Sequence, residues 1–371
     1  MKVPFLDLSR YHSSIKPQLM QTFEECLDNS DFVLGKHVDR FEENFSSFEK
    51  GKYGIGVNSG ADALFLVQKA LGIGRGDEVI TVNNTFNATV DSIVRTGATP
   101  KIVDAASADL LIDSEQLSKT VTKKTKAIIP VHLYGTPANL DAIQEFCDEK
   151  NLYLIQDSAQ AHGAKFKGKS LGQYGIVSCY SFYPGKNLGS LGEGGMVVTD
   201  NEEIMQKIKI LRNTGQKEKY FHEYPGFNSR LHEIQAAFLD IKLKDLDKNN
   251  ALRNEKVKLY QELMGDESFF QTVSQDVYSS FHLLVLQAKK RDKVIEVLKK
   301  NGIGFGIHYP VTINRSNAYR DYDFSKQKFP ISEQAAENVI SLPIFAELSN
   351  DEISYVCNTL KENKAEFLHY T

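Results

Sequence analysis

Seven short apolar stretches punctuate the chain between residues 54 and 199: Gly54–Val57, Glu78–Val82, Pro100–Val103, Ala127–Val131, Leu152–Gln156, Val177–Phe182 and Met196–Thr199. Helical patterns fill three of the intervals, Ala61–Leu71, Ala88–Thr96 and Leu140–Lys150. This alternation predicts an α/β fold with a mostly parallel seven-stranded sheet between helices, because parallel neighbours need a crossover that packs back on the sheet. Ligands in such a sheet gather outside the carboxyl ends of the strands. Residues just after each stretch are therefore the first place to look for chemistry.

From Ser229 the pattern becomes a polar-rich helix running to about Met264, with Ile234, Ala237, Phe238 and Ile241 on its apolar stripe. Beyond it, Tyr278–Gln287 and Gly306–Tyr309 read as strands, and Arg291–Asn301, Ile331–Ser341 and Asp351–Lys361 as helices. The expected organisation is a large domain over 1–245 and a smaller C-terminal α+β domain over 246–371.

The 371 residues suffice for both. A formal net charge of −4 gives no reason to expect a nucleic acid or an anionic membrane as partner. Met1-Lys-Val-Pro-Phe-Leu-Asp-Leu8 lacks the apolar core and cleavage site of a signal peptide, and no segment has the uninterrupted apolar length of a bilayer span. Cys26, Cys147, Cys179 and Cys357 are scattered and show no metal-ligand spacing. A reduced, cytoplasmic setting without a bound metal is expected.

The chemistry is written after the fifth and sixth stretches. Leu152-Tyr-Leu-Ile-Gln-Asp157 places an acid at a strand end, and Ser181-Phe-Tyr183-Pro-Gly-Lys186 places a lysine beside a hydroxyl-bearing strand end. Gly185, Gly189, Gly192, Gly194 and Gly195 bound the loop that also carries Glu193. A lysine that condenses with an aldehyde and an acid that keeps a pyridine nitrogen protonated are the two requirements of a pyridoxal phosphate (PLP) site. Alone, Lys186 would read as a solvated surface charge and Asp157 as a cap; together they point to the cofactor.

Three further segments join them. Asn58-Ser59-Gly60-Ala61 lies between a strand and a helix, where free amides of the first turn can meet a phosphate. Phe86 ends another strand and suits stacking on a flat ring, with core packing as the competing role. Gln160 and His162, just past Asp157, are candidates for the cofactor's phenolic oxygen or the substrate, and His162 has a purely structural alternative.

These residues resemble the DegT/DnrJ/EryC1/StrS sugar aminotransferases, within the fold-type I PLP enzymes. The resemblance runs through Pro4-Phe-Leu-Asp-Leu8, Asn58-Ser-Gly-Ala-Asp-Ala-Leu64, Thr125-Lys-Ala-Ile-Ile-Pro-Val-His-Leu-Tyr-Gly135, Gln156-Asp-Ser-Ala-Gln-Ala-His-Gly163, Ser181-Phe-Tyr-Pro-Gly-Lys-Asn-Leu-Gly189, Gly226-Phe-Asn-Ser-Arg-Leu231 and Ile307-His-Tyr-Pro310. It implies Lys186 as the Schiff-base lysine, Asp157 as the partner of the pyridine nitrogen, Gln160 near the phenolic oxygen and Phe86 on the ring. Ser181 is implied as a phosphate ligand beside Gly60 and Ala61. Asn228 resembles an asparagine that reaches the phosphate from the neighbouring subunit, which implies a homodimer with shared active sites. His162, Tyr183, Glu193, Arg230, His308 and Tyr309 are expected to face the substrate.

Departures touch the substrate more than the cofactor. Ala61 stands where many relatives have threonine, Gly185 replaces a threonine before the lysine, His232 replaces an acidic residue, and Val311–Tyr319 departs from the usual continuation. The implied activity is transfer of an amino group from L-glutamate to a nucleotide-linked keto-deoxysugar, a dTDP-3-keto-6-deoxyhexose first, giving an amino sugar for a surface polysaccharide or glycoside. A 4-keto sugar on a UDP or GDP carrier is the alternative. A non-catalytic PLP-fold regulatory protein is a rival, as is a transaminase for small keto acids in which Arg212, Arg230 or Arg253 holds a carboxylate. Relatives that dehydrate sugars carry histidine in place of the lysine, so Lys186 argues against that class.

Overall fold

The computed structural model of the chain describes residues 1–265 and 270–363. Two helices come first, α1 (Leu8–Asn29) and α2 (Lys36–Phe48). The sheet region runs β1 (Tyr53–Val57), α3 (Gly60–Ala70), β2 (Glu78–Val82), α4 (Asn87–Thr96), β3 (Thr99–Val103), α5 (Leu117–Thr120), β4 (Thr125–Ile129), α6 (Leu140–Lys150) and β5 (Tyr153–Asp157). It continues through the hairpin β6 (Lys165–Phe166) and β7 (Lys169–Ser170) to β8 (Val177–Ser181) and β9 (Gly195–Thr199). All seven expected strands are present, with ends shifted by two residues at most.

The strands lie in the order β1-β9-β8-β5-β4-β2-β3. Six share one direction, and only β9 is antiparallel to its neighbours. Both faces are buried by alternation along each strand: Ala127 and Ile129 pack with α3, whereas Ile128 packs with Leu140 and Ile143 of α6. Met196 and Val198 likewise meet Phe41 and Phe45 of α2, while Val197 faces the other way. This two-sided burial explains why the strands read as continuous apolar runs.

The second helix is held in place by buried charges. Glu233 accepts the amides of Gly35 (2.6 Å), His37 (2.9 Å) and Val38 (3.0 Å), so a carboxylate from elsewhere in the chain caps the positive end of α2. Glu42 of α2 pairs with Arg212 and accepts the Gly56 amide at 2.8 Å, pinning α2 to β1.

Past β9 come α7 (Glu202–Arg212), the hairpin β10 (Gln216–Glu218) and β11 (Phe221–His222), α8 (Glu233–Leu243) and α9 (Leu246–Met264). The expected single helix from Ser229 to Met264 is thus corrected in two ways. Ser229–His232 is extended, because Asn228 bridges Asn213 and His232 bridges Val33. The helix then breaks at Lys244–Asp245, since α8 packs on α2 and α1 while α9 joins a second core with Leu284, Leu286, Val356 and Val3. Val3, near the start of the chain, packs in this second core.

The remaining elements are β12 (Val277–Tyr278), β13 (Leu284–Gln287), α10 (Arg291–Lys300), α11 (Pro330–Asn338), β14 (Val339–Leu342) and α12 (Asn350–Glu362). The expected strand Tyr278–Gln287 is two short strands, with β12 paired to β6 and β13 to β14. Between them the Ser280 and Leu283 amides bond the carbonyls of Gly135 and Tyr134, which bends the chain toward the sheet. The expected helix Ile331–Ser341 ends at Asn338 because Val339–Leu342 pairs with β13. Of the expected strand Gly306–Tyr309, only a bridge from Gly306 to Ser341 forms.

Candidate active site

A cavity of about 580 Å³ opens at the carboxyl ends of the parallel strands. Ser59–Ala61 after β1, Thr85–Phe86 after β2, Val131 and Leu133 after β4, Asp157 at the end of β5 and Ser181 at the end of β8 all line it. The antiparallel β9 starts at this same edge, which brings Glu193 to the lining. Lys186 reaches it from the loop between β8 and β9, and His308 and Tyr309 from the C-terminal region.

The first turn of α3 is arranged for an anion. Ser59 Oγ accepts the Asp62 amide at 3.1 Å and the Ser59 carbonyl accepts that of Ala63, while the Gly60 and Ala61 amides have no acceptor among the described residues. A Cβ on Gly60 would lie 2.7 Å from Ser181 Cβ, so glycine is what lets the Ser181 hydroxyl share this pocket.

Asp157 is held from both sides. Oδ2 accepts from Thr89 Oγ1 at 2.8 Å and Oδ1 from the Ala159 amide at 3.2 Å. Thr89 spends its only proton on Asp157, so the 2.8 Å contact between Thr85 and Thr89 has Thr85 as donor. Burial raises the Asp157 pKa against the pull of these bonds and of Lys186. The half-buried Lys186 lines the cavity, where burial pushes its amine down to about 8. A buried carboxyl short of a cation, an amine shifted toward neutrality, free helix amides and a hydroxyl beside them fit PLP.

Gln160 also lines the cavity; its Oε1 accepts the Tyr134 amide at 2.6 Å and its Nε2 donates to Tyr309 Oη at 3.1 Å. One Nε2 proton remains for a ligand. Phe86, 56 % exposed, stands 5.4 Å from the Tyr309 ring, centroid to centroid. Tyr183 is comparably open, and His308 bonds Ser341 Oγ at 2.8 Å, with burial and then the Lys186 charge holding its pKa near about 4.

Three expected site residues lie outside this cavity. His162 is fully buried, with its ring among Phe45, Tyr180 and Phe182 and its pKa pushed down to about 3 by burial. The structure takes its packing alternative, and the expectation of substrate contact is corrected. Asn228 is exposed and accepts Arg230 Nη2 at 2.6 Å, while Arg230 Nη1 donates to Asn213. Neither Asn228 nor Arg230 lines the cavity of its own chain.

Thr85, Thr89, His282 and Phe5, none of which belongs to a motif with an implied role, also line the cavity. Thr89 was within reach of pattern reasoning, since it lies one helical turn after Phe86 and shares its face. His282 carried no signal, because only the bend between β12 and β13 turns it inward.

The sequence profile of the DegT/DnrJ/EryC1/StrS aminotransferase family matches residues 13–361. The chain is 39% identical to a Geobacillus stearothermophilus protein named "Pleiotropic regulatory protein", covering 98% of each. It is 38% identical to the dTDP-3-amino-3,4,6-trideoxy-alpha-D-glucose transaminase of Streptomyces venezuelae, covering 97% of this chain and 96% of the relative. The crystal structure of S. venezuelae DesV in complex with a ketimine intermediate superposes with a TM-score of 0.95 at 37% identity, over 97% of this chain and 98% of that one. The chain belongs to the DegT/DnrJ/EryC1/StrS aminotransferase family and is a PLP-dependent aminotransferase.

Proposed function

We propose that this aminotransferase moves the amino group of L-glutamate onto the ketone of a nucleotide-linked deoxysugar, with a dTDP-linked 3-keto-6-deoxyhexose as acceptor. The observation that carries the reading is the cavity wall: Lys186 and Asp157 share it with exposed rings of Phe86 and Tyr183 and with His308 and Tyr309. Aromatic faces with polar edges suit a sugar and a base better than a small keto acid. The dTDP carrier is favoured by the name of the Streptomyces venezuelae relative.

When bound, PLP supplies a conjugated pyridinium that takes up the electron pair released at the donor's Cα–H bond. Asp157, fixed by Thr89 and Ala159, holds the proton on the ring nitrogen. The Lys186 amine, with its pKa near 8, has a neutral fraction larger by a factor on the order of 10² than an ordinary lysine at neutral pH, and in that form it accepts and returns the α-proton. The amides of Gly60 and Ala61 and the Ser181 hydroxyl hold the phosphate. Gln160 donates its remaining Nε2 proton toward the phenolic oxygen, and Glu193, Tyr183, His308 and Tyr309 meet the sugar nucleotide.

Asn228 belongs in this scheme to the site of a second subunit in a homodimer. Its exposed position, oriented by Arg230 and away from its own cavity, supports that reading. Mixing Lys186→Ala with Asn228→Ala protein should restore activity, because one site of each mixed dimer is then intact. No recovery despite proven subunit exchange would return Asn228 to its own chain.

The activity is tested by following cofactor absorbance in the two half-reactions. Glutamate alone should convert the cofactor to its amino form, and dTDP-, UDP- and GDP-linked keto sugars offered next should restore it, the dTDP 3-keto sugar fastest. A regulatory protein of the kind named for the Geobacillus relative would hold the cofactor and show no glutamate-dependent change. His308→Ala should slow the sugar half-reaction more than the glutamate half-reaction.

A further inference from the structure

Three arginines have the chemistry to meet a carboxylate, and the fold separates them. Arg212 is consumed by Glu42 and the Gly56 carbonyl. Arg230 donates to Asn213 and Asn228 away from the cavity. Arg253, on α9, lines the cavity together with Lys186 although it is only 7 % exposed.

Its partners are incomplete. Nη1 donates to the carbonyls of Phe281 (3.2 Å) and Ile344 (2.9 Å), both uncharged acceptors. Nε and Nη2 have no partner among the described residues, yet neither is among the sealed polar atoms, so both keep access to solvent. None of the ion pairs among the described residues includes Arg253, and Glu347 acts on it only from beyond ion-pair distance. Burial pushes its pKa down to about 10, which still leaves it charged at neutral pH. A buried cation without an anion is unfavourable, and the edge left free, Nε with Nη2, is the edge that grips both oxygens of a carboxylate.

The position also selects which anion. The free amides of Gly60 and Ala61 already provide for a phosphate beside Ser181. Arg253 stands instead near His282, whose pKa is driven well below its usual value first by burial and then by the charges of Lys186 and Arg253. The neutral His282 bonds Asn187 at 3.1 Å and offers no counter-charge.

We propose that Arg253 binds a carboxylate of the amino donor through Nε and Nη2. This rests on the aminotransferase reading with glutamate as donor. In the cofactor-loaded Arg253→Gln variant, kcat/KM of the glutamate half-reaction should fall by about 30-fold or more, the usual penalty for losing a desolvated charge-assisted pair. The keto-sugar half-reaction, started from the amino form of the cofactor, should change by less than about threefold, since Arg253 meets only the donor. Arg253→Lys, which keeps the charge and loses the fork, should fall between wild type and Arg253→Gln. L-alanine as donor separates the two carboxylates: loss with both donors assigns the α-carboxylate, and loss with glutamate alone assigns the side-chain carboxylate.

Calorimetry with glutarate provides a readout without turnover. Glutarate should bind the wild type and not Arg253→Gln, and its neutral analogue glutaramide should bind neither. Equal losses in both half-reactions, undiminished glutamate turnover, or lost dTDP affinity would overturn the assignment. Should either variant fail to fold, tight glutaramide binding by the wild type would overturn it as well. If the wild type shows no glutamate-dependent change of the cofactor, the proposed function fails, while the calorimetry still decides Arg253 on its own.

Discussion

Replacing Asp157 by asparagine separates the chemical role of this residue from its structural one. The backbone position does not depend on the side chain, because the Asp157 amide bonds the Pro130 carbonyl and the His132 amide bonds the Asp157 carbonyl, each at 3.0 Å. Asparagine Oδ1 can keep the Ala159 amide, and its NH₂ group can donate to Thr89 if Thr89 turns its proton toward Thr85. Burial raises the Asp157 pKa in the folded chain, so the cofactor-free native state binds more protons than the unfolded state above pH 4. Its contribution to stability is therefore lost as pH rises through that range, and at neutral pH the wild type carries a cost that asparagine lacks. Cofactor-free Asp157→Asn should melt no lower than wild type at pH 7. With cofactor bound the order reverses under the proposed pairing of Asp157 with the ring nitrogen, because breaking a buried ion pair by removing one partner costs about 3–5 kcal/mol. Placed on the transition state, that is a loss of roughly two to three and a half powers of ten in rate. Thermal melts with and without cofactor, and single-turnover absorbance with glutamate, read both effects. A cofactor-free variant destabilised by more than about 2 kcal/mol, or one that turns over normally, would refute the reasoning, since buried-group losses of that size mark a structural role.

Gly60→Ala places a methyl 2.7 Å from Ser181 Cβ and should weaken cofactor binding by roughly 5- to 150-fold, the range set by 1–3 kcal/mol of overpacking; an unchanged cofactor titration would remove this contact from the phosphate argument. Glu49 is fully buried and its carboxyl is pushed up to about 7, so its contribution to stability is present below its unfolded pKa of 4.5 and is lost as pH rises from there to 7, by about 3 kcal/mol. Glu49→Gln, which keeps an acceptor for the Gly163 amide, should lack this fall when denaturant unfolding is compared at pH 5 and pH 8; equal slopes in variant and wild type would show that Glu49 does not titrate there.

The strands were legible because both faces of the sheet are buried, which forces an unbroken apolar run at each of the seven positions. Lys186 and Asp157 were legible for a different reason: a glycine-bounded loop and a strand end are local features that carry their chemistry with them. The residues that depend on long-range placement were not. His162 sits two residues from Gln160 in an equally polar stretch, and only packing against Phe45 and Tyr180 takes one into the core while the other lines the cavity. Ser229–Met264 has an uninterrupted helical pattern, yet α8 and α9 answer to different partners and the helix breaks between them. Arg253 looks like any helical arginine in the sequence, and His282 like any residue of a strand; the bend at Ser280–Leu283 and the seat of α9 against Ile344 turn both toward Lys186. Periodicity and turn chemistry are properties of neighbours in the chain, so they determined the elements and singled out Lys186 as the candidate cofactor lysine. The identity of a substrate-facing wall is a property of neighbours in space, and only tertiary packing decided it.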